Sequence, residues 1–189
     1  TLEFLQRILP STGFYCAFSV VNNRPSQRIV DSIEELSNLT TKISNAGYNA
    51  YFAVASFTAK DGGRKQQNVE KLKAIFLDVD CGEDKPYKDQ RAGLQALSTF
   101  VATTDLPKPL IVSSGNGLHV YWLLDQELTK DEWQPLADAL KAATQKLGFE
   151  VDPVVPSDSA RVLRPLGTVN TKSNTHVNNL LTTDATYSP

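Results

Sequence analysis

The sequence predicts an α+β protein of two modules around a shared core, and three observations carry that prediction. Apolar runs with the two-residue period of strands alternate with runs at helical spacing. The second half orders these runs as β-α-β-β-α-β. The polar, glycine-bearing stretch AKDGGRKQQN at 59–68 separates the halves. The expected division is an N-terminal αβ module over 1–68 and a second module over 69–189. A chain of 189 residues, 41% of them hydrophobic, suits one globular domain or two small lobes.

In the first module, Phe14 to Val21 is an apolar run suited to a strand. Asp31 to Glu34 reads as a capping-box start, with Ile33, Leu36, Thr40 and Ile43 at helical spacing and Gly47 as the stop. Tyr51 to Phe57 is expected to be one strand, rich in aromatic and small apolar residues.

In the second module a strand is expected over 74–81. A helix follows at about 88–104, with Leu94, Leu97 and Val101 inward, and it ends before Pro107. Leu110 to Ser113 and Leu118 to Leu124 flank Gly115-Asn116-Gly117, whose residues tolerate the positive φ of tight turns, so 110–124 reads as a hairpin. The next helix, about 131–147, turns Trp133, Leu136, Leu140, Ala143 and Leu147 inward and stops at Gly148. Pro135 confines its start to Thr129 or later. A last strand is expected over Phe149 to Val154.

This order is the split βαβ pattern of ferredoxin-like and RRM-like folds. Strand side chains alternate between faces, so Ile75, Leu77 and Val79 face the helices while Phe76, Asp78 and Asp80 share the other face. With His119 on the third strand and Asp152 on the fourth, that topology gathers three carboxylates and an imidazole on one face.

Bulk properties narrow the chemistry. No apolar run approaches the ~20 residues needed to span a bilayer, and no signal-peptide pattern opens the chain, so an intracellular, cytoplasmic protein without a membrane is expected. The start at Thr1 and the absence of Met point to a processed chain or a piece of a longer protein. Cys16 and Cys81 give no disulfide framework, and with His119 and His176 they show no zinc-ligand spacing. The formal net charge of −2 does not advertise a nucleic-acid binder, although clustered acids lower the net charge without removing a local basic groove.

Asp78 and Asp80, one residue apart at the end of an apolar strand, cannot both stay ionised in a half-buried site without counter-charge. Mg²⁺ or Mn²⁺ prefers such oxygens, and two ions would suit phosphoryl transfer, with Asp152 as the third acid. Asp158 lies close by as a competitor for that place. The turn Ser114-Gly115-Asn116-Gly117 before His119 has backbone N–H groups able to cradle phosphate oxygens. Read blandly, the same residues are a solvated strand end and a hairpin turn. Arg161, Arg164 and Lys172 follow soon after Asp152, as a basic site or a solvated basic strand.

Taken in order, the motifs are D-x-D on a strand, S-G-N-G-x-H-x-Y-W, a hydrophobic residue before Asp, and A-R-V-L-R-x-x-G-T-x-N-x-K. This series resembles the archaeo-eukaryotic primase (AEP) superfamily. The closer likeness is to the primase-polymerase (prim-pol) domains of phage, plasmid and related replication proteins, over about residues 50 to 175. Asp78 and Asp80 match the first motif, Ser114 to His119 the second, and Asp152 the third. The segment Arg164-Pro-Leu-Gly-Thr168 departs from the R-L-P-G-T order more often seen.

The resemblance implies a two-lobed fold with the active site between an αβ lobe and an RRM-like catalytic core. Asp78, Asp80 and Asp152 would hold two Mg²⁺ or Mn²⁺ ions, and His119 would contact the triphosphate of the incoming nucleotide. Ser114, Gly115, Asn116, Gly117, Arg161, Arg164 and Lys172 are further nucleotide-binding candidates, with Arg161, Arg164 and Lys172 also placed for template backbone. Implied partners are a single-stranded DNA template with primer, dNTPs or NTPs, and a downstream helicase domain. Among the eight Phe, six Tyr and two Trp, some are candidates to stack template bases, while most belong to the core. Three alternatives stay open: a metal-dependent nucleotide-sugar glycosyltransferase, a nuclease, and a non-catalytic single-strand-binding replication module.

Overall fold

In the computed structural model, residues 1–21 and 24–189 are described. The first lobe opens with helix α1 (Leu2–Ile8), which buries Phe4, Leu5 and Ile8. Strands β1 (Tyr15–Val21) and β2 (Arg24–Val30) pair antiparallel. Helix α2 (Ile33–Asn45) begins at Ser32, whose side chain accepts from Glu35 N while Glu35 reaches back to Asp31 N. The cap therefore sits one residue later than the expected Asp31–Glu34 pair.

The expected strand over Tyr51 to Phe57 divides into β3 (Asn49–Ala53) and β4 (Ser56–Phe57), which lie in different sheets. Strand β5 (Val69–Val79) starts five residues before the expected 74–81 and ends before Asp80. Helix α3 (Gln90–Thr104) is capped by Asp89, and its buried residues Leu97 and Phe100 face the sheet. Strands β6 (Leu110–Ser113) and β7 (Leu118–Thr129) form the expected hairpin, with β7 running five residues beyond Leu124. Helix α4 (Lys130–Leu147) starts on the capping box of Thr129 and Glu132 and contains Pro135 in its second turn. Leu147 points to solvent at 44% exposure; Ala137 and Thr144 are buried in the stripe instead.

The predicted strand over 149–154 does not form. Asp152 N donates to Asp78 O at 2.9 Å, and Pro153, lacking an N–H, cannot extend that contact into a ladder. The chain continues through a short 3₁₀ turn (Val155–Ser157) into four short strands without a clear sequence signal. These are β8 (Val162–Leu163), β9 (Val169–Asn170), β10 (Thr175–His176) and β11 (Asn178–Leu181).

The larger sheet has the order β11-β6-β7-β5-β4, and the first lobe's sheet has the order β2-β1-β3-β8. The chain thus returns to the first lobe at 162–163, where Leu163 pairs with Phe52 and Val162 with Ala53. Leu77 and Val79 join Leu97, Phe100 and Leu140 in a core under α3 and α4. Phe76, Tyr121 and Leu123 face the other way into a second core shared with Phe4, Tyr15 and Phe52. That face is therefore covered by the first lobe rather than open. Trp133 is fully buried, stacks 5.7 Å from Phe76 and donates its indole N–H to Ala74 O at 2.8 Å, which pins α4 to β5. Among the described residues, no helix is long and apolar enough to cross a membrane.

Candidate active site

The register of β5 against β7 sets Asp78 opposite His119, so both side chains leave the sheet on one face. His119 Nε2 lies 4.0 Å from Asp78 Oδ1. His119 is 2% exposed, and burial, with Arg164 and Arg161 adding repulsion, pulls its pKa down to about 3. The imidazole is therefore neutral at neutral pH. Its Nδ1 is buried without a hydrogen-bond partner.

Asp78 has the opposite perturbation. Burial chiefly, then the Asp80 carboxylate, pushes its pKa up to about 7; Asp152 adds to the rise while Arg161 and Arg164 oppose it. Each of the other two acids already has a cationic partner. Lys85 Nζ lies 2.9 Å from Asp80 Oδ2, and Arg161 Nη2 lies 3.0 Å from Asp152 Oδ2. Asp80 holds the Lys85 ammonium protonated above its usual pKa. Asp158, the competitor for third acid, spends Oδ1 on Ala160 N and Gln66 Nε2. Asp152, tied to Asp78 through the backbone, is the acid brought to the site.

Hard oxygen donors with too little positive charge are a suitable environment for a divalent cation. Asp78 shows the need, since its carboxyl is difficult to ionise as the site stands. Among the described residues, no three His, Cys, Asp or Glu side chains already form a cage for a metal ion. The ion pairs of Asp80 and Asp152 account for this, because each carboxylate is turned to its own basic partner. The donor set fits Mg²⁺ or Mn²⁺ in chemistry.

The turn between β6 and β7 is held by its carbonyls. Gln90 Nε2, from the start of α3, donates to Gly115 O and Gly117 O, and Ser114 N donates to Gly117 O. A Cβ on Gly117 would lie 2.4 Å from Val79 O, so close backbone approach requires glycine there. Gly115 has φ +106° and abuts Asn170. Asn116 completes the turn as a bend residue. Asn170, 3% exposed, donates Nδ2 to Ser114 O at 2.9 Å.

The basic segment reaches the site unevenly. Arg161 and Arg164 both act on Asp78 and His119. Arg164 also donates to Tyr51 OH at 3.0 Å and lies over that ring at 4.8 Å. Asn49 Oδ1 accepts from Arg164 at 3.4 Å and from Thr171 N at 3.1 Å. Lys172 is exposed beyond Asn170, and its backbone N–H donates to Asn170 Oδ1.

No protein-family model matches the chain. Over 118 residues, 61% of the chain, it is 28% identical to a replication protein of Clostridium perfringens, and the match spans 28% of that protein's length. The AEP domain of the cyanophage S-2L primase-polymerase superposes with a TM-score of 0.72 at 16% identity, over 99% of this chain and 89% of that one. The fold is that of an AEP primase-polymerase domain.

Two other solved structures share the fold of this chain. The polymerase domain of Mycobacterium tuberculosis ligase D, solved in complex with DNA, gives a TM-score of 0.58 at 15% identity, over 94% of this chain and 76% of that one. The primase RepB′ gives 0.59 at 15% identity, over 99% of this chain and 58% of that one.

Within this fold, sequence reasoning missed several residues that build the site. Gln90 and Lys85 carry no motif and reach the site only through tertiary placement. Asn49 and Tyr51 come from the other lobe. Asn170 had a signal, because it lies in the segment quoted for the resemblance, but its buried bond to Ser114 could not be read from the residues alone.

Proposed function

We propose that this chain is a DNA-dependent primase-polymerase, a nucleotidyltransferase that extends a 3′-hydroxyl on a single-stranded DNA template with dNTPs or NTPs. Its setting would be intracellular replication of a phage, plasmid or similar element, with a helicase domain downstream. The cross-strand placement of Asp78 and His119, beside Asp152 in a chain with the AEP fold, carries this reading. The modules 1–68 and 69–189 would act as one catalytic unit, since Arg164 contacts Tyr51 across them.

In the reaction, the 3′-oxygen bonds to the α-phosphorus as the bond to the β-phosphate oxygen breaks. Pyrophosphate leaves, and the hydroxyl proton is lost. Asp78, Asp80 and Asp152 would hold two Mg²⁺ or Mn²⁺ ions, which supply a lower pKa for the attacking hydroxyl and neutralisation of the triphosphate. Neutral His119 offers an N–H donor to a phosphate oxygen. Arg161 and Arg164 place guanidinium charge on the same side, where a triphosphate collects negative charge. Ser114 to Gly117, fixed by Gln90 and Asn170, would position the phosphates, with Lys172 at the outer edge.

The test is a template assay with and without primer, supplying NTPs or dNTPs and Mg²⁺ or Mn²⁺ in turn. Asp78→Ala with Asp80→Ala should abolish incorporation while the fold survives. Clear extension by that folded variant contradicts the assignment. DNA degradation without nucleotides, or sugar-nucleotide hydrolysis, would move the reading to a nuclease or a glycosyltransferase.

A further inference from the structure

We infer that the outward face of the first sheet binds the single-stranded DNA template through a row of stacked cations and rings, Arg64–Phe18–Tyr51–Arg164. This inference rests on the polymerase reading above and extends it from Tyr51 and Arg164, at the site, to Phe18 and Arg64 beyond it.

Phe18 on β1 and Tyr51 on β3 are register partners, so they share one face of the sheet. Their neighbours Ala17 and Phe52 point into the core. The rings meet edge-on at 5.9 Å and are each half-buried. Val20, farther along the same face, is 40% exposed. Arg64 lies over Phe18 at 5.2 Å, and Arg164 over Tyr51 at 4.8 Å. The two rings sit side by side with their planes 62° apart, and a guanidinium lies over each, so the row is bounded by cations at both ends. Most aromatics of this chain lie in the core; these two do not.

The placement of Arg64 is specific. The polar loop at 59–68 brings it across the lobes, where Nη1 donates to Ala160 O at 2.6 Å, next to Arg161. The Nε atoms of Arg64 and Arg161 are both buried without acceptors. Buried donors of this kind are costly unless an acceptor arrives. At its other end the row reaches Arg164, which acts electrostatically on His119 and Asp78.

A chain with net charge −2 has no general attraction for polyanions, so this local concentration of arginine decides what binds. Phosphates answer the guanidinium donors, and base faces answer the rings. Only a strand with unpaired bases offers both, since a duplex hides its base faces in the stack. The row would therefore lead the template toward Asp78 without reading its sequence.

The experiment measures fluorescence anisotropy of a labelled oligothymidylate with the whole chain in EDTA, so that metal and nucleotide play no part. The Phe18→Leu, Tyr51→Leu double variant should bind about tenfold or more weaker, while Phe18→Tyr, which keeps both rings and the Tyr51 hydroxyl that accepts from Arg164, should bind as the parent does. Arg64→Gln should lower the salt dependence of binding by about 0.7 in the log–log slope, the value for one phosphate contact on a single strand. Duplex DNA of the same length should compete poorly.

Unchanged affinity in the Leu pair, or in Arg64→Gln if the Leu pair does not fold, overturns the inference; equal competition by duplex does so as well. Failure of the polymerase reading is distinguishable. Ring-dependent binding in a protein that incorporates nothing keeps the surface and removes the reaction. Incorporation by a protein whose binding ignores the rings does the reverse.

Discussion

The backbone N–H of Asp152 donates to the backbone carbonyl of Asp78 at 2.9 Å, joining the strand that bears Asp78 to the loop that bears Asp152. This bond replaces the strand pairing expected over 149–154. It holds Asp152 beside Asp78 by main-chain geometry, whichever way its carboxylate turns.

Asp152 and Asp158 should therefore separate cleanly in function. Asp152→Asn is expected to reduce nucleotide incorporation by more than the ~10–100-fold that partners behind a metal ligand typically cost. Asp158→Asn should stay within a few-fold, because its oxygen serves Ala160 N and Gln66 Nε2. Primer-extension rates at saturating nucleotide read the difference, and equal losses would return Asp158 to the candidate set.

Stability should vary with pH in a way that the two facing residues oppose. Folded Asp78 keeps its proton up to about pH 7, whereas the unfolded residue loses it near 4, so this residue makes stability fall as pH rises between those values. Folded His119 stays neutral down to about pH 3, whereas the unfolded residue protonates below about 6.5, so stability rises with pH in that window. Each slope is at most about 1.4 kcal/mol per pH unit, and in metal-free protein they largely cancel between about 4 and 6.5. Asp78→Asn should expose the rising slope and His119→Gln the falling one, as read by urea denaturation across pH. At pH 7, Mg²⁺ or Mn²⁺ should stabilise the parent more than Asp78→Asn.

Gly117 is held by space rather than by flexibility. A Cβ there meets Val79 O at 2.4 Å, so Gly117→Ala should push β5 from the turn and cost about 1–3 kcal/mol. Gly47, with φ +82° and nothing within 4 Å, supplies the comparison: Gly47→Ala should cost only about 1 kcal/mol from backbone strain. Urea midpoints measure both, and a Gly117 variant no worse than the Gly47 variant would contradict the close approach.

Removing the Asn170 amide should reach the nucleotide indirectly. Asn170→Ala leaves the buried Ser114 carbonyl without its donor, at a cost of about 1–3 kcal/mol. The turn before His119 then loses its brace, and the nucleotide KM should rise while the metal-free melting transition stays cooperative. An unchanged KM would restrict Asn170 to structural support.

The sequence made the centre of the large sheet legible because β5, β6, β7 and the helices have clean periods: β5 alternates Leu77 and Val79 against Phe76 and Asp78, and the α4 stripe ran correctly except at Leu147, Ala137 and Thr144. Asp78 and His119 could be placed on one face from strand parity alone, since one register step decides the face; Asp80 lies past the end of β5, and Asp152 on a loop. Less legible were the elements made by long-range pairing. Strand β8, with only two residues, exists because Val162 and Leu163 find the edge of β3, and no local pattern marks it. Pro153 was visible in the sequence, and its missing N–H was reason enough to shorten the strand predicted there. The cationic partners Lys85 and Arg161 depend on loop paths that propensity does not specify.

The passage from β8 to Asn170 is short: it leaves the edge of one sheet at Leu163 and is fastened to the turn of the other at Ser114. Those few residues act as a tether of fixed length between the two sheets. The two sheets are therefore joined there by covalent chain as well as by packing, so a displacement of one is passed to the other along the main chain.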